Sequence, residues 1–229
     1  ELMGCEYEMA RRFAKEHQLR LEVIVPNSHE QLLQWLIEGK ADLAAGFLQP
    51  LNFYKYKRIG FSRPYHYSIR HFVVAKGHPA GAIEDLYYKT IHVRRSSPYW
   101  EDLQELNQQH DHRFQIIEVD EDIETETLIK QVAKGEIEIT MADEHLLNIE
   151  LKAGLPVKSA YRLDDKKPNS VAVRQGNPKL RGKLDAFIDK SYKGVTYNVL
   201  YNKYFNNPGS IKKLVQDRRL QMRNGKLSP

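Results

Sequence analysis

The fold is decided by two stretches of the same design, LLQWLIEGKADLAAG at residues 32–46 and LIKQVAKGEIEITMA at residues 128–142. In each stretch, apolar residues at helical spacing lead to a glycine, Gly39 or Gly135, and then to a short run that is typical of a buried strand. Glycine readily ends a helix, so both stretches predict a helix, a stop and a strand. The repetition predicts an α/β protein of two similar lobes, each with a mainly parallel sheet.

Further strands and helices extend this pattern. Residues 21–25, LEVIV, are rich in β-branched side chains and end at Pro26, which predicts a strand ahead of the helix in the first copy of the repeat. Residues 114–119 take the same place in the second copy. The remaining predicted helices are residues 5–17, 178–191 and 195–205.

Two strands are predicted to connect the lobes, residues 70–77 and residues 169–176, because each ends at a glycine turn and a hinge needs only a few residues at the ends of such elements. The predicted domains are lobe 1 at residues 1–74 with 172–205, lobe 2 at residues 75–171, and a basic linker at residues 206–229 toward a further domain. Because the sequence opens at Glu1 without a methionine or a leader, we expect it to be an excised segment.

Composition narrows the function classes. The formal charge is +5, but the Lys and Arg residues are scattered among 30 acidic residues and no nucleic-acid motif accompanies them, so no nucleic-acid partner is expected. No apolar stretch approaches the roughly 20 residues that cross a bilayer. Cys5 is the single cysteine and predicts a small buried side chain on a helix. The histidines lack ligand-like spacing, and we expect neither a metal nor a cofactor.

Candidate ligand contacts follow from position. In a bilobal α/β binder the ligand lies at the carboxyl ends of the strands. At such an end, the strand that begins at Ile91 leads into Arg95, Ser96 and Ser97, whose hydroxyl groups and backbone N–H groups could donate hydrogen bonds to a ligand carboxylate. Asp143 lies at the end of the second repeated strand, where its carboxylate could accept hydrogen bonds from a ligand ammonium. Capping of the following helices by these serines or by Asp143 stays an open alternative.

Four apolar or aromatic residues complete the predicted site. Phe47 and Leu48 follow Gly46 and are placed to wall the cleft, although a core role is equally compatible with the pattern. Tyr65 and Tyr99 are placed to stack on a ligand or to pack in the core.

Several short motifs together resemble the solute-binding protein family 3, the type II periplasmic binding proteins. They are GCEYEMA at residues 4–10, EGKADL at 38–43, FSRPY at 61–65, and KGEI at 134–137 leading to Asp143. The resemblance implies a two-lobed fold with a two-strand hinge that closes on a small polar ligand, and it implies that Asp143 is the acidic partner of a ligand amine. It also implies a first strand ahead of Glu1.

One position departs from this family's pattern. The arginine that pairs with an amino acid's carboxylate in the family is replaced by Lys55, which lacks the planar fork of a guanidinium. Free amino acids are therefore less suitable ligands; a peptide fragment of peptidoglycan suits both this departure and the second resemblance, which follows.

A second resemblance is to the regulatory domain of membrane-bound lytic murein transglycosylase F. It rests on RSSPYWEDLQEL at residues 95–106, YNKYF at 201–205, and the basic linker. It implies a sensor domain of a periplasmic, outer-membrane-attached enzyme. It also implies that the catalytic Glu-Ser pair of that enzyme lies outside this sequence, because no Glu in the sequence is followed directly by a Ser. The alternatives are a free-standing receptor of an amino-acid or peptide ABC importer, and a dehydratase on the same fold, for which no catalytic acids are identified.

Overall fold

The computed structural model describes residues 4–26, 29–50, 58–207 and 209. The chain divides into two compact units, Glu1–Leu21 with Lys193–Pro229, and Glu22–Tyr192. Across the described ranges, no helix has both the length and the apolar character needed to cross a bilayer.

The smaller unit contains helix α1 (Cys5–Glu16), helix α7 (Val195–Tyr201) and a π-helical turn (Asn202–Asn206). The amphipathic pattern of α1 buries Cys5, Phe13 and Ala14, as the sequence predicts for this helix. Burial raises the pKa of the Cys5 thiol to about 12, so the thiol stays protonated and behaves as a small apolar side chain.

The larger unit carries eight strands, five α-helices and a 3-10 turn (Glu84–Leu86) within its described residues. The strands are β1 (Leu43–Ala44), β2 (Ile59–Phe61), β3 (His66–Ala75), β4 (Thr90–Arg94), β5 (Gln115–Val119), β6 (Ile139–Asp143), β7 (Val157–Asn169) and β8 (Ala172–Arg174). The α-helices are α2 (His29–Glu38), α3 (Pro98–Gln109), α4 (Thr125–Lys134), α5 (Glu144–Lys152) and α6 (Pro178–Ser191).

Five strands form the larger sheet, in the order β5-β4-β6-β3-β7. Strand β4 runs parallel to β5 and to β6, with α3 and α4 as crossover connections. Strand β3 runs antiparallel to β6 and β7. The α/β class is confirmed, and the predicted parallel arrangement applies to β5, β4 and β6.

The smaller sheet has the order β1-β8-β2, and both of its described ladders are antiparallel. The prediction of a mainly parallel sheet in each lobe needs correction for these strands. The reason is that β8 enters this sheet from the opposite end, immediately after β7 of the larger sheet, and so runs against both of its neighbours.

Both faces of the larger sheet are covered, which explains its nearly continuous apolar strands. Phe72 and Val74 of β3 pack on one face together with α3, around Leu103. Val73 points to the other face and packs against Ile129 of α4. The alternation along β3 therefore serves two cores.

The chain passes between the two sheets at residues 62–65 and again at residues 170–171. The predicted connection at 169–176 contains the second crossing. The predicted connection at 70–77 is misplaced, because β3 pairs with β6 and β7 along its length inside the larger sheet. The lobe boundaries and the linker at 206–229 stay predictions; residues 210–229 lie outside the described residues.

The repeated pattern is confirmed more fully in its second copy. Helix α4 buries Leu128, Ile129 and Val132, ends at Gly135 with φ +75°, and leads to β6. In the first copy α2 ends at Gly39 with φ +82°, but β1 spans only two residues. The predicted strand at residues 21–25 is wrong: the segment has no regular structure, and Val25 is 69% exposed. A β-branched run forms a strand only where a neighbouring strand takes its hydrogen bonds.

Candidate functional site

Asp143 lies where the sequence analysis placed it, at the end of β6 and before α5. It is only 4% exposed, and its backbone N–H donates to the Tyr99 hydroxyl at 3.1 Å. Its side chain makes no cap hydrogen bond to α5, so the capping alternative is not observed. Burial raises the pKa of Asp143 to about 6, against the opposing effect of the Arg70 guanidinium. The site therefore contains a buried acid that titrates near neutral pH.

Arg70 is the centre of the cluster, and sequence reasoning missed it. It stands opposite Asp143 in the β3–β6 ladder and is completely buried. Its Nη1 donates to the Pro98 carbonyl at 3.1 Å, and its Nε lies 3.8 Å from Asp143 Oδ1. The guanidinium also lies over the Tyr99 ring, with Cζ 5.4 Å from the ring centroid. Burial lowers the pKa of Arg70, and Asp143 opposes that effect.

Two further partners complete the surroundings of Arg70. Its Nη1 contacts the Asp102 carboxylate on α3, and its Nη2 donates to Gln49 Oε1. Lys167 on β7 lies beside the same carboxylate, with Nζ 3.4 Å from Asp102 Oδ1. Arg70 therefore joins the segment after β1 to elements of the larger sheet, and Lys167 also pairs with the exposed Asp165 at 2.6 Å.

The segment after β1 contacts the larger sheet through its backbone. The Phe47 carbonyl accepts a hydrogen bond from Asn169 Nδ2 at 2.7 Å, and the Leu48 carbonyl accepts one from the Ser170 N–H at 2.7 Å. Phe47 has φ +52°, an unusual conformation for a residue with a side chain. Leu48 is buried in the core beneath the smaller sheet, beside Leu33. Its placement matches the core alternative rather than an exposed cleft wall.

An aromatic cluster surrounds Phe47. Its ring stacks on His145 with centroids 4.3 Å apart, and Tyr65 and His66 approach at 5.9 and 5.5 Å. Burial lowers the pKa of His66 to about 4 and that of His145 to about 3, so both rings are neutral at physiological pH. The structure thus brings Phe47 and Tyr65 together, next to the helix that follows Asp143.

The turn after β4 presents its donors differently from the prediction. Ser97 is buried, and its hydroxyl donates to the Arg94 carbonyl at 2.7 Å instead of capping α3. The Ser96 N–H donates to Glu121 Oε1 at 2.9 Å, and its hydroxyl contacts the same carboxylate. Arg95 is exposed and pairs with Glu118 at 3.4 Å. A carboxylate does occupy the predicted donors at Ser96, and it belongs to the chain itself.

The structure therefore joins Asp143 to Tyr99 and Phe47 to Tyr65, and it leaves Arg95 and Ser96 at an exposed edge. Lys55 lies outside the described residues. Within the described ranges, no three His, Cys, Asp or Glu side chains are grouped so that they could hold a metal ion.

Comparison with known families and proteins identifies relatives of this chain. The model of the bacterial extracellular solute-binding proteins, family 3, matches residues 1–207. The membrane-bound lytic murein transglycosylase F of Desulfosudis oleivorans is 30% identical over 204 residues, which cover 89% of this chain and 44% of the relative. The protein of that name from Pseudomonas fluorescens is 27% identical over 207 residues, covering 88% of this chain and 42% of the relative. The chain thus spans less than half the length of these relatives.

Solved structures show the same fold. An ancestral arginine-binding protein bound to arginine aligns with a TM-score of 0.76 at 22% identity, over 90% of this chain and 89% of that protein. A periplasmic arginine-binding protein from Salmonella typhimurium aligns with a TM-score of 0.74 at 19% identity, over 90% of each chain. The resemblances predicted from the sequence motifs are confirmed.

Proposed function

Because this chain belongs to the bacterial extracellular solute-binding proteins, family 3, we propose that it is the ligand-binding regulatory domain of a peptidoglycan lytic transglycosylase. The observation that carries the proposal is the 30% identity, across 89% of the chain, to a membrane-bound lytic murein transglycosylase F. The chain itself is a binding domain. The catalytic glutamate belongs to a part of the protein outside this segment, since no Glu-Ser pair occurs in the sequence.

The position of the buried cluster supports a ligand site. Asp143 is the last residue of β6, and the turn that contains Ser97 follows β4; both lie at the carboxyl ends of parallel strands, which is where open α/β sheets bind ligands. The buried Tyr99 ring and the stacked Phe47 and His145 rings supply apolar surface beside the polar groups. Such a combination suits a small polar molecule with an apolar part, such as a muropeptide or an amino acid.

In our proposal, the ligand contacts both sheets and regulates the enzyme by changing how the sheets face each other. Two crossings, at residues 62–65 and 170–171, join the sheets, so a change at these few residues alters how the sheets face each other. A ligand shifts that equilibrium only by its difference in affinity for the two arrangements. In our proposal, this shift changes how a catalytic domain in the same protein is held. We infer a periplasmic protein attached to the outer membrane.

Thermal unfolding of this chain against a panel of ligands tests the proposal. The panel contains free amino acids, short murein peptides and anhydro-muropeptides, because a ligand that prefers the folded state raises the midpoint. We expect a rise with murein-derived ligands that is lost in Asp143→Asn and retained in Asp164→Asn, a matched change at an exposed aspartate. A rise with free amino acids alone would instead support the importer receptor.

A further inference from the structure

A cavity lies at the end of the smaller sheet that is remote from the two crossings. Its volume is about 420 Å³, and its described lining residues are Ile37, Arg58, Arg174, Gln175, Gly176 and Asn177. In the β2–β8 ladder, Ile59 pairs with Arg174 at this end. Phe61, which directly precedes the crossing at residues 62–65, pairs with Ala172 at the opposite end. The cavity is therefore separate from the candidate functional site.

Two guanidinium groups line the cavity. Arg174 is held in place, because its Nη1 donates to the Ala41 carbonyl at 2.6 Å and its Nη2 donates to Asp42 Oδ1 at 2.9 Å. The Asp42 side chain is 77% exposed, so water weakens this ion pair. The Arg58 side chain is exposed and makes no ion pair within the described residues. Arginine stays protonated, and two guanidiniums against one carboxylate leave the cavity positively charged.

Groups next to the cavity add positive charge. Helix α6 begins directly after the lining residue Asn177, and its first turn contains Lys179 and no acid. The free N–H groups at the start of a helix carry partial positive charge as well. Arg181 Nη1 and Gln175 Oε1 lie 3.5 and 3.6 Å from the point where a Cβ of Gly60 would stand, so the Arg181 guanidinium lies beside a residue that lines the cavity.

Acids of the neighbouring helices have other partners. Glu38, the last residue of α2, pairs with Lys40 at 2.8 Å. On α6, Asp189 contacts the Arg63 guanidinium, and Asp185 Oδ1 accepts a hydrogen bond from the Arg63 N–H at 2.7 Å. These acids therefore leave the positive charge at the cavity in place.

A phosphate group matches this charge and these donors. A guanidinium binds phosphate through two parallel hydrogen bonds, and the start of a helix binds the same group. A phosphate monoester carries a charge of about −1.5 to −2 at pH 7, whereas a carboxylate carries a single negative charge. Of the two anions, the phosphate balances more of the excess positive charge.

We propose that this cavity is a second ligand site, which binds a phosphate monoester or inorganic phosphate through Arg58, Arg174 and the start of α6. The inference goes beyond the proposed function, because the phosphate site shares no residue with the candidate functional site. A failure of murein-derived ligands to bind would therefore leave the phosphate site standing.

Thermal unfolding with inorganic phosphate tests the site, at an ionic strength held constant with sodium chloride. For a dissociation constant of about 1 mM, about 10 mM phosphate should raise the unfolding midpoint by roughly 3–6 °C. We expect this rise to be lost in Arg58→Ala and retained in Arg162→Ala, a matched change at an exposed arginine on β7. Arg58→Lys should keep only part of the rise, because lysine retains the charge and lacks the planar fork.

Three results would overturn the proposal. The first is the absence of a rise in the wild type. The second is an equal rise in Arg58→Ala, which would show that phosphate stabilises the chain by exclusion from its surface or binds elsewhere. The third is an equal rise with acetate at the same concentration, which would contradict the preference for a doubly charged group.

Vesicles distinguish the two sources of a phosphate monoester. Phosphatidic acid presents this group at a membrane surface. Sedimentation of the wild-type chain with phosphatidylcholine vesicles that contain phosphatidic acid, and its loss in Arg58→Ala, would support the site with a lipid headgroup as the ligand. A rise with soluble phosphate and no sedimentation would support it with a free phosphate compound as the ligand.

Discussion

Replacement of Asp143 by asparagine should flatten the dependence of stability on pH between about pH 4 and pH 7. Burial raises the pKa of Asp143 in the folded chain to about 6, from an ordinary value of 3.8. The folded state therefore holds the proton more strongly than the unfolded state does. The resulting stabilisation is fully present below pH 3.8 and is lost as the pH rises through 6.

The magnitude follows from these two pKa values. At 1.36 kcal/mol for each pKa unit, ionisation of Asp143 costs the folded wild type about 3 kcal/mol between the two limits. Asparagine cannot ionise, so Asp143→Asn should lose about 3 kcal/mol less than the wild type over this range. For a chain of this size the difference corresponds to roughly 6–12 °C in the unfolding midpoint.

The assay is urea unfolding of the wild type, Asp143→Asn and Asp164→Asn at closely spaced pH values from 4 to 7. The Asp164 side chain is 90% exposed, so its replacement should leave the wild-type profile unchanged. Parallel profiles for the wild type and Asp143→Asn would show that Asp143 ionises as an ordinary exposed acid, which would refute the argument from burial.

Three further changes test the fold. In a urea titration, Ile129→Ala should lower the free energy of unfolding by about 2–5 kcal/mol, because Ile129 is fully buried between α4 and the larger sheet. Val195→Ala, at an exposed position, should change this free energy by less than about 0.5 kcal/mol. Gly135→Ala should lower the free energy of unfolding by about 1 kcal/mol, because φ is +75° at this residue while the space around its Cα is open. The control in thermal unfolding is Gly77→Ala, where the space is equally open and φ is not positive. Ser97→Ala should lower the free energy of unfolding by about 1 kcal/mol, because it removes the hydrogen bond to the Arg94 carbonyl. Unfolding by denaturant measures this loss, and an equal loss in Ser96→Ala would contradict the explanation.

Local patterns were sufficient for most of the larger sheet and for its helices. The spacing of Leu128, Ile129 and Val132 and the stop at Gly135 belong to one short stretch, so no knowledge of distant contacts was needed. The predicted strand at residues 21–25 failed for the opposite reason. A strand depends on a neighbour, and the sequence does not show whether a neighbour pairs with it.

The site could be predicted only in part. The position of Asp143 at the end of the second repeated strand was predicted from the sequence, and the roles of Asp143 and Tyr99 in ligand binding stay predictions. Arg70 was missed because its partners Gln49, Asp102 and Asp143 come from distant parts of the chain. One signal was available. Arg70 directly precedes the run HFVV within one strand, and burial of an arginine in a sheet that is covered on both faces costs free energy unless buried acids pair with it.

The most direct test of the account is the rate of glycan cleavage by the whole protein that contains this chain, measured with and without a ligand that raises the unfolding midpoint of the chain. We expect the ligand to change the rate in the wild type and to leave it unchanged in Asp143→Asn. A cleavage rate that stays the same with every ligand that stabilises this chain would contradict the proposed regulatory function.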